Sequence, residues 1–470
     1  MKKKTIIFSL ISVSFLLILG GGYCYFPKNQ KTPVVNDPIP FSFEQLSPYK
    51  FPKNNCPLNK YGAIPDGKTI NTQAFEQAIA DCSGKGGGTI SVPAGNWLTG
   101  PIHLKGNLNL YLDKAAIVIF TTDPQAYLPV VLTRFEGIDV YNFSPLIYIA
   151  DAENVAITGP GKFDGQGQTW MPWKDKEPKA MKQLYAMMQN DISVAKRIFG
   201  DPTRPLRPSF IQTINAKNIR LEDFTITNSP RWTIHPIYSD KIAMRNLTVE
   251  TSGFNSDGIV IDSSTNVLIE DCRLNTGDDT IAIKSGLDKD GWRVNKPAEN
   301  IVIRNCTITG GHSAIAIGSE MSGGVKNIFL SNLTLDGIDQ GIRSKSLKGR
   351  GGIVENIWAK NIKIGTAKNA GLKFDLNYDA STLKPSSDIL PTFQNFDFEN
   401  ISVENTKVAV SIEGIPGSYI KNVRLKSLQV NSEEGIFINY SEGVSFIDLV
   451  TKEGQGKPIF EVQNSQNISY

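Results

Sequence analysis

The 470-residue chain has no large excess of either charge, since 49 basic and 46 acidic residues leave a net charge of +3. An imbalance that small argues against nucleic-acid binding through bulk charge, although lysines and arginines can still gather in a groove for an anionic ligand. Cysteine is scarce, with five in all. That suits an exported protein but is too few for a disulfide scaffold. Cys56 and Cys82 are plausible bridge partners. Charged residues make up only 20%, against 40% apolar residues and 41 glycines. This is the profile of a turn-rich globular chain rather than a disordered one.

Charge is missing altogether from residues 5–26. Lys2, Lys3 and Lys4 precede the apolar run 6–19, the pattern of an export signal. No Ala-x-Ala site follows, and Tyr23 before Cys24 is too bulky for a lipid-attachment signal. The uncharged stretch is also long enough to span a bilayer. Residues 1–26 are therefore expected to be a signal peptide or a membrane anchor. The product is then secreted, periplasmic or tethered facing outward. The proline-rich residues 27–45 read as a linker, and residues 46–470 as one domain.

Within that domain the strongest signal is self-similarity. "NIRLEDFTI" at 218 recurs at 241, 266, 300, 327, 356, 400 and 422, with apolar residues at offsets one, three, six and eight. Two short strands meeting at a bend, each pointing alternate residues inward, produce that pattern. Units of variable length with constant strand spacing imply an all-β fold, a single-stranded right-handed parallel β-helix in which insertions leave as loops. A leucine-rich horseshoe is disfavoured because its Leu/Asn ladder and helical segments are missing. Cys272 and Cys306 share offset six with Phe224 and Leu247, so they belong to a buried stack rather than a reactive site. "NTQAFEQAIADCS" (71–83) reads as an amphipathic helix capping the open apolar end. Residues 168–206 break the repeat and read as a helical insertion packed on the side.

Aligning the second strands on Ile259/Ile261, Ile281/Ile283, Ile315/Ile317 and Ile342/Ser344 places Asp257 and Asp279 on neighbouring coils, ~4.8 Å apart. Asp278 lies one residue before Asp279, and His312 sits at the position of Asp278 one coil later. Arg343 and Lys345 take the outward positions flanking Ser344. Taken singly, each of these is a turn former or a solvated charge. Stacked on one face, the acids repel one another, which raises at least one pKa. Hydrolysis of a glycosidic bond uses such an arrangement, with one carboxyl kept protonated as acid and another ionised to activate water. Inversion would place acid and base ~6.5–9.5 Å apart. Two fixed cations alongside suit a substrate carboxylate, hence a polymer of uronic acids.

These motifs, Asn255-Ser256-Asp257, Gly277-Asp278-Asp279, Gly311-His312-Ser313 and Arg343-Ser344-Lys345, resemble the polygalacturonases of glycoside hydrolase family 28 over about residues 55–450. The resemblance implies that residues 46–470 form a glycoside hydrolase domain. It also implies inverting hydrolysis of α-1,4-galacturonosidic bonds in polygalacturonate or pectin, with exo action favoured. Asp278 would be the general acid, with Asp257 and Asp279 holding the water and Asp279 the more direct base. His312 would tune the acid, Arg343 and Lys345 would bind the uronate carboxylate, and Tyr378 and Asn255 would contact the sugar. Neither metal nor cofactor is implied, and a monomer acting on an acidic polysaccharide is expected. Ser344 and Ser313 depart from the usual residues, which leaves the loop beside His312 open. Alternatives are a uronate lyase using Ca²⁺, a rhamnogalacturonan hydrolase, or a non-catalytic carbohydrate-binding β-helix.

Overall fold

The computed structural model describes residues 37–379, 385, 387–453 and 459–470. Among the described residues thirty strands form one ribbon whose neighbours pair in parallel, coil upon coil, as a right-handed parallel β-helix. The register explains why the repeat holds it together. Offset-one residues stack as Ile219, Ile242, Val267, Ile301, Ile328, Ile357, Phe396 and Val423, all buried. Each coil shields the apolar row of the next, which no coil could do alone.

That register corrects one repeat boundary. The coil after Asn356 starts at Asn395, because Ile357 pairs with Phe396, and Ile362 rather than Ile357 pairs with Ile401. The repeat at 400 is thus out of phase by five residues. The error has a simple cause: each coil carries a second corner residue at offset five that imitates the first. Both corners have left-handed backbone, for example φ 56° at Asn218 and 57° at Asn361, a conformation asparagine tolerates better than most residues. Their side chains form ladders up the coils, Asn327 Nδ2 donating to Asn300 Oδ1 at 3.0 Å and Asn400 Nδ2 to Asn361 Oδ1 at 2.7 Å.

Helix α1 (Thr72–Gly84) buries Ala74, Phe75, Ala78, Ile79 and Cys82 against the first coils. A Cys56–Cys82 disulfide ties it to the preceding segment. Cys272 and Cys306 are free and buried. Helix α2 (Glu177–Gln189) occupies the middle of residues 168–206 and is followed by a single 3₁₀ turn, Val194–Lys196. Its Ala180, Met181, Leu184 and Met188 share a small core with Phe135, Ile138 and Val140. Those three belong to an antiparallel hairpin, Val131–Phe135 with Ile138–Asn142, that the repeat pattern does not announce. Both turn residues have positive φ, 46° at Glu136 and 75° at Gly137, as a tight two-residue hairpin turn requires. Any Cβ on Gly137 would come within 2.7 Å of the Leu287 nitrogen. The hairpin tip is therefore seated against the segment entering helix α3 (Asp288–Val294).

Ile39, Phe41 and Phe43, within the stretch read as linker, pack on outward-facing Leu268, Val302, Phe329 and Trp358. Residues 1–26 and 27–36 lie outside the described residues. Among the described residues no helix is long and apolar enough to cross a membrane.

Candidate active site

Four consecutive rungs build the site: β1 (Ile259–Asp262), β2 (Ile281–Lys284), β3 (Gly311–Gly318) and β4 (Ile338–Lys345). Ile259, Ile281, Ile315 and Ile342 stack inward. Two residues earlier, Asp257, Asp279, Ser313 and Gln340 therefore follow one another up the coil. The ladder continues through them, with Gly258 N donating to Asp279 O at 3.1 Å and Thr280 N to Ser313 O at 2.7 Å. Ser313 is buried and holds its place in the ladder. Asp257, Asp278 and Asp279 each bring an oxygen within 4.8 Å of the other two. All three carboxyl groups therefore open on one point of the coil. Asp278 and Asp279 share one rung, and Asp257 stacks against them from the rung before.

Each acid has a different environment. Asp279 is almost fully buried, and burial opposes its charge. Lys345, whose Nζ donates to Asp279 Oδ2 at 2.7 Å, more than offsets this and holds the carboxyl down at about 2. Asp278 is partly exposed and is pushed upward by desolvation and by the Asp279 charge. Asp257 is buried, its Oδ1 has no protein partner, and desolvation and Asp278 drive it well above the usual carboxylate range. One acid is thus ionised beside two that favour their protons, the division that acid–base chemistry needs. The three could hold a divalent cation by proximity alone. Lys345 on Asp279, and the pull toward protonation at the other two, work against one.

Backbone contacts fix Asp278. Its Oδ1 accepts from Asp279 N at 2.9 Å and its Oδ2 from Asn255 N at 3.3 Å, while His312 N donates to its carbonyl at 3.0 Å. The His312 ring instead bonds Asp339, Nδ1 to Oδ2 at 3.1 Å, on the exposed rim. A charged imidazole there still favours the ionised form of Asp278. Arg343 and Lys345 occupy adjacent outward positions, with Ser344 buried between them. Lys345 reaches the cavity. Arg343 lies beneath Tyr378, its guanidinium 5.0 Å from the ring centre and 3.6 Å from the Asp375 carboxylate. Tyr378 itself faces the cavity, as does Asn255.

The cavity holds about 450 Å³. Its far wall comes from the insertion, the hairpin and the segment entering α3: Phe135, Glu136, Lys174, Pro178, Met181 and Leu287. Residues not singled out from sequence complete it. Arg207, fully buried, pairs with Glu177 of α2 at 2.7 Å and donates to the Phe254 carbonyl at 3.0 Å and to Asn255 Oδ1 at 3.3 Å. It pins the loop before Asp257 to the insertion. Lys284 bonds Glu320 at 2.8 Å, and Arg231 bonds Glu136. Lys284 was legible in principle, because it follows Ile283 as Lys345 follows Ser344. Arg231 and Glu320 sit at 228–236 and 319–324, between the repeats, where the sequence discloses no role.

The chain is similar to known proteins along most of its length. The model of glycosyl hydrolases family 28 matches residues 82–442. A probable polygalacturonase of Vitis vinifera is 31% identical over 397 residues, covering 80% of this chain and 74% of that one. An endo-polygalacturonase of Pectobacterium carotovorum subsp. carotovorum is 26% identical over 375 residues, covering 77% and 84%. A hyperthermoactive exopolygalacturonase from Thermotoga maritima superimposes with a TM-score of 0.82 at 34% identity, covering 87% and 94%.

Proposed function

Since the chain belongs to glycosyl hydrolases family 28, we propose that it hydrolyses the α-1,4-galacturonosidic bonds of polygalacturonate, releasing sugar from a chain end and inverting the anomeric centre. The observation that carries the reading is the triplet Asp257, Asp278 and Asp279, whose oxygens lie within 4.8 Å while their proton affinities diverge.

In this scheme a uronate carboxylate is received by Lys345, backed by Arg343 through Tyr378. Asp278, kept protonated by burial and by its ionised neighbour, donates to the leaving glycosidic oxygen. Asp279 takes the proton of a water held between itself and Asp257. The Asn255 and Asp279 amides keep the Asp278 carboxyl aimed, and they stabilise the charge it acquires on giving up its proton. His312 adds a charge-dependent bias from the rim.

The second reading is retention through a glycosyl-enzyme, in which one carboxylate attacks the sugar directly. Inversion is preferred because Asp279 is engaged by Lys345 and has Asp257 beside it, a pair suited to hold a water as the nucleophile rather than to attack the sugar itself. Exo action is supported by the wall of hairpin and insertion at one end of the cavity, and by the similarity to the Thermotoga maritima enzyme. Export through residues 1–26 fits a polymeric substrate too large to enter a cell.

Incubation with polygalacturonic acid tests all of this together. New reducing ends, a β-anomer as the first product and a single product length are expected. An initial α-anomer supports retention, and early mixed oligomers support endo action. Asp278→Asn should lower turnover by ~10²–10⁴-fold while polymer binding persists. Unchanged turnover refutes the acid assignment.

A further inference from the structure

Lys284 and Lys345 occupy the same strand position two rungs apart. Ile283 pairs with Ile317, which puts Lys284 in register with Gly318, and Gly318 pairs with Lys345. The intervening position, Gly318, carries no side chain. Two rung spacings amount to ~10 Å, and the catalytic carboxylates lie alongside. Each ammonium is anchored by one buried acid: Lys345 by Asp279 at 2.7 Å, Lys284 by Glu320 at 2.8 Å. Lys284 also lies 4.8 Å from the centre of the Trp232 ring, and both residues line the cavity. An ammonium has three donors, so one bond to Glu320 leaves Lys284 able to bind a further anion.

We propose that Lys284 receives the carboxylate of the sugar on the Asp257 side of the scissile bond, so that the enzyme reads two successive uronates, one on each side. The inference rests on the polygalacturonate reading above and specifies what that site recognises. The local charge balance suits it. Lys284 and Arg231 supply two positive charges at this end of the cavity. Glu320 is ionised, since Lys284 overcomes the effect of burial there, while burial pushes Glu136 toward its protonated form. Asp257 is pushed the same way, and Arg350 is matched by Asp288 at 2.7 Å. Arg231 is held by Glu136, while Lys284 keeps donors beyond its bond to Glu320 for an incoming carboxylate.

Chemical methyl esterification at random positions along polygalacturonate tests this without knowing the polarity of the bound chain. If two uronates must be free, the initial rate of the unaltered enzyme falls at least as the square of the free-acid fraction, to about a quarter at half esterification, because each neutralised carboxylate forfeits its own charge-assisted contact. Lys284→Met should lower kcat/KM on the unesterified polymer and relax the dependence by one power. Equal dependence in the variant and the unaltered enzyme overturns the proposal. So does a first-power dependence in the unaltered enzyme, which needs no variant to fold. Absence of any new reducing ends from fully unesterified polymer would instead sink the parent reading.

Discussion

In the proposed scheme Lys345 decides which of two adjacent aspartates is the base. Asp278 and Asp279 are neighbours in sequence and both are largely shielded from water, yet only Asp279 has an ammonium at 2.7 Å. Without it, burial and the neighbouring charge act on both in the same direction. The pH profile should reflect this. On the proposed roles, activity requires ionised Asp279, so its acid limb is expected at about 2. Activity also requires protonated Asp278, so it is lost as pH rises through the upper titration of the raised, mutually coupled acids. Replacing Lys345 by Met removes the main cause of the low value. The acid limb of kcat/KM should then move to higher pH, whatever happens to KM. An acid limb that stays in place would show that Asp279 is not the base.

At the level of elements, much of the site could be read from the repeat. Inward isoleucines set the rungs, and two residues before them the acids stack, a consequence of period-two alternation that needs no coordinates. What the repeat could not convey is whatever comes from outside it. Glu136 arrives on a hairpin and Glu177 on an inserted helix, far away in sequence. Arg207 shows its importance only through the partners it gathers: Glu177, Phe254 and Asn255. The out-of-phase boundary at residue 400 has a local cause, since both corners of a coil favour asparagine. The insertion also has a job that its sequence does not display, because Arg207 couples it to the loop bearing Asp257. Arg207→Lys keeps the charge but cannot span that fork of acceptors. We expect kcat to fall ~10-fold or more with the β-sheet circular dichroism retained, the cost of misplacing a catalytic group. If kcat holds while thermal stability drops, the contact is structural only.

At the scale of the whole molecule, a β-helix is close to one-dimensional, each coil supported by its two neighbours, so its ends are its weak points. At the N-terminal end α1 covers the apolar opening, and the Cys56–Cys82 bridge holds the chain before the helix to the helix itself across 26 residues. Closing a loop of that length is worth about 3.5 kcal/mol in the chain-entropy account. That gain should be local, because the strands beside α1, beginning with Gly88–Val92, are separated from the catalytic rungs by several coils. Replacing both cysteines by serine should therefore speed amide exchange in α1 and in those first strands while leaving it unchanged around Asp257, Asp278 and Asp279. Turnover at moderate temperature should be preserved and thermal unfolding should begin earlier. Uniformly faster exchange along all the coils would mean instead that the β-helix opens as a single cooperative unit, and that its cap secures the active site as much as the end it covers.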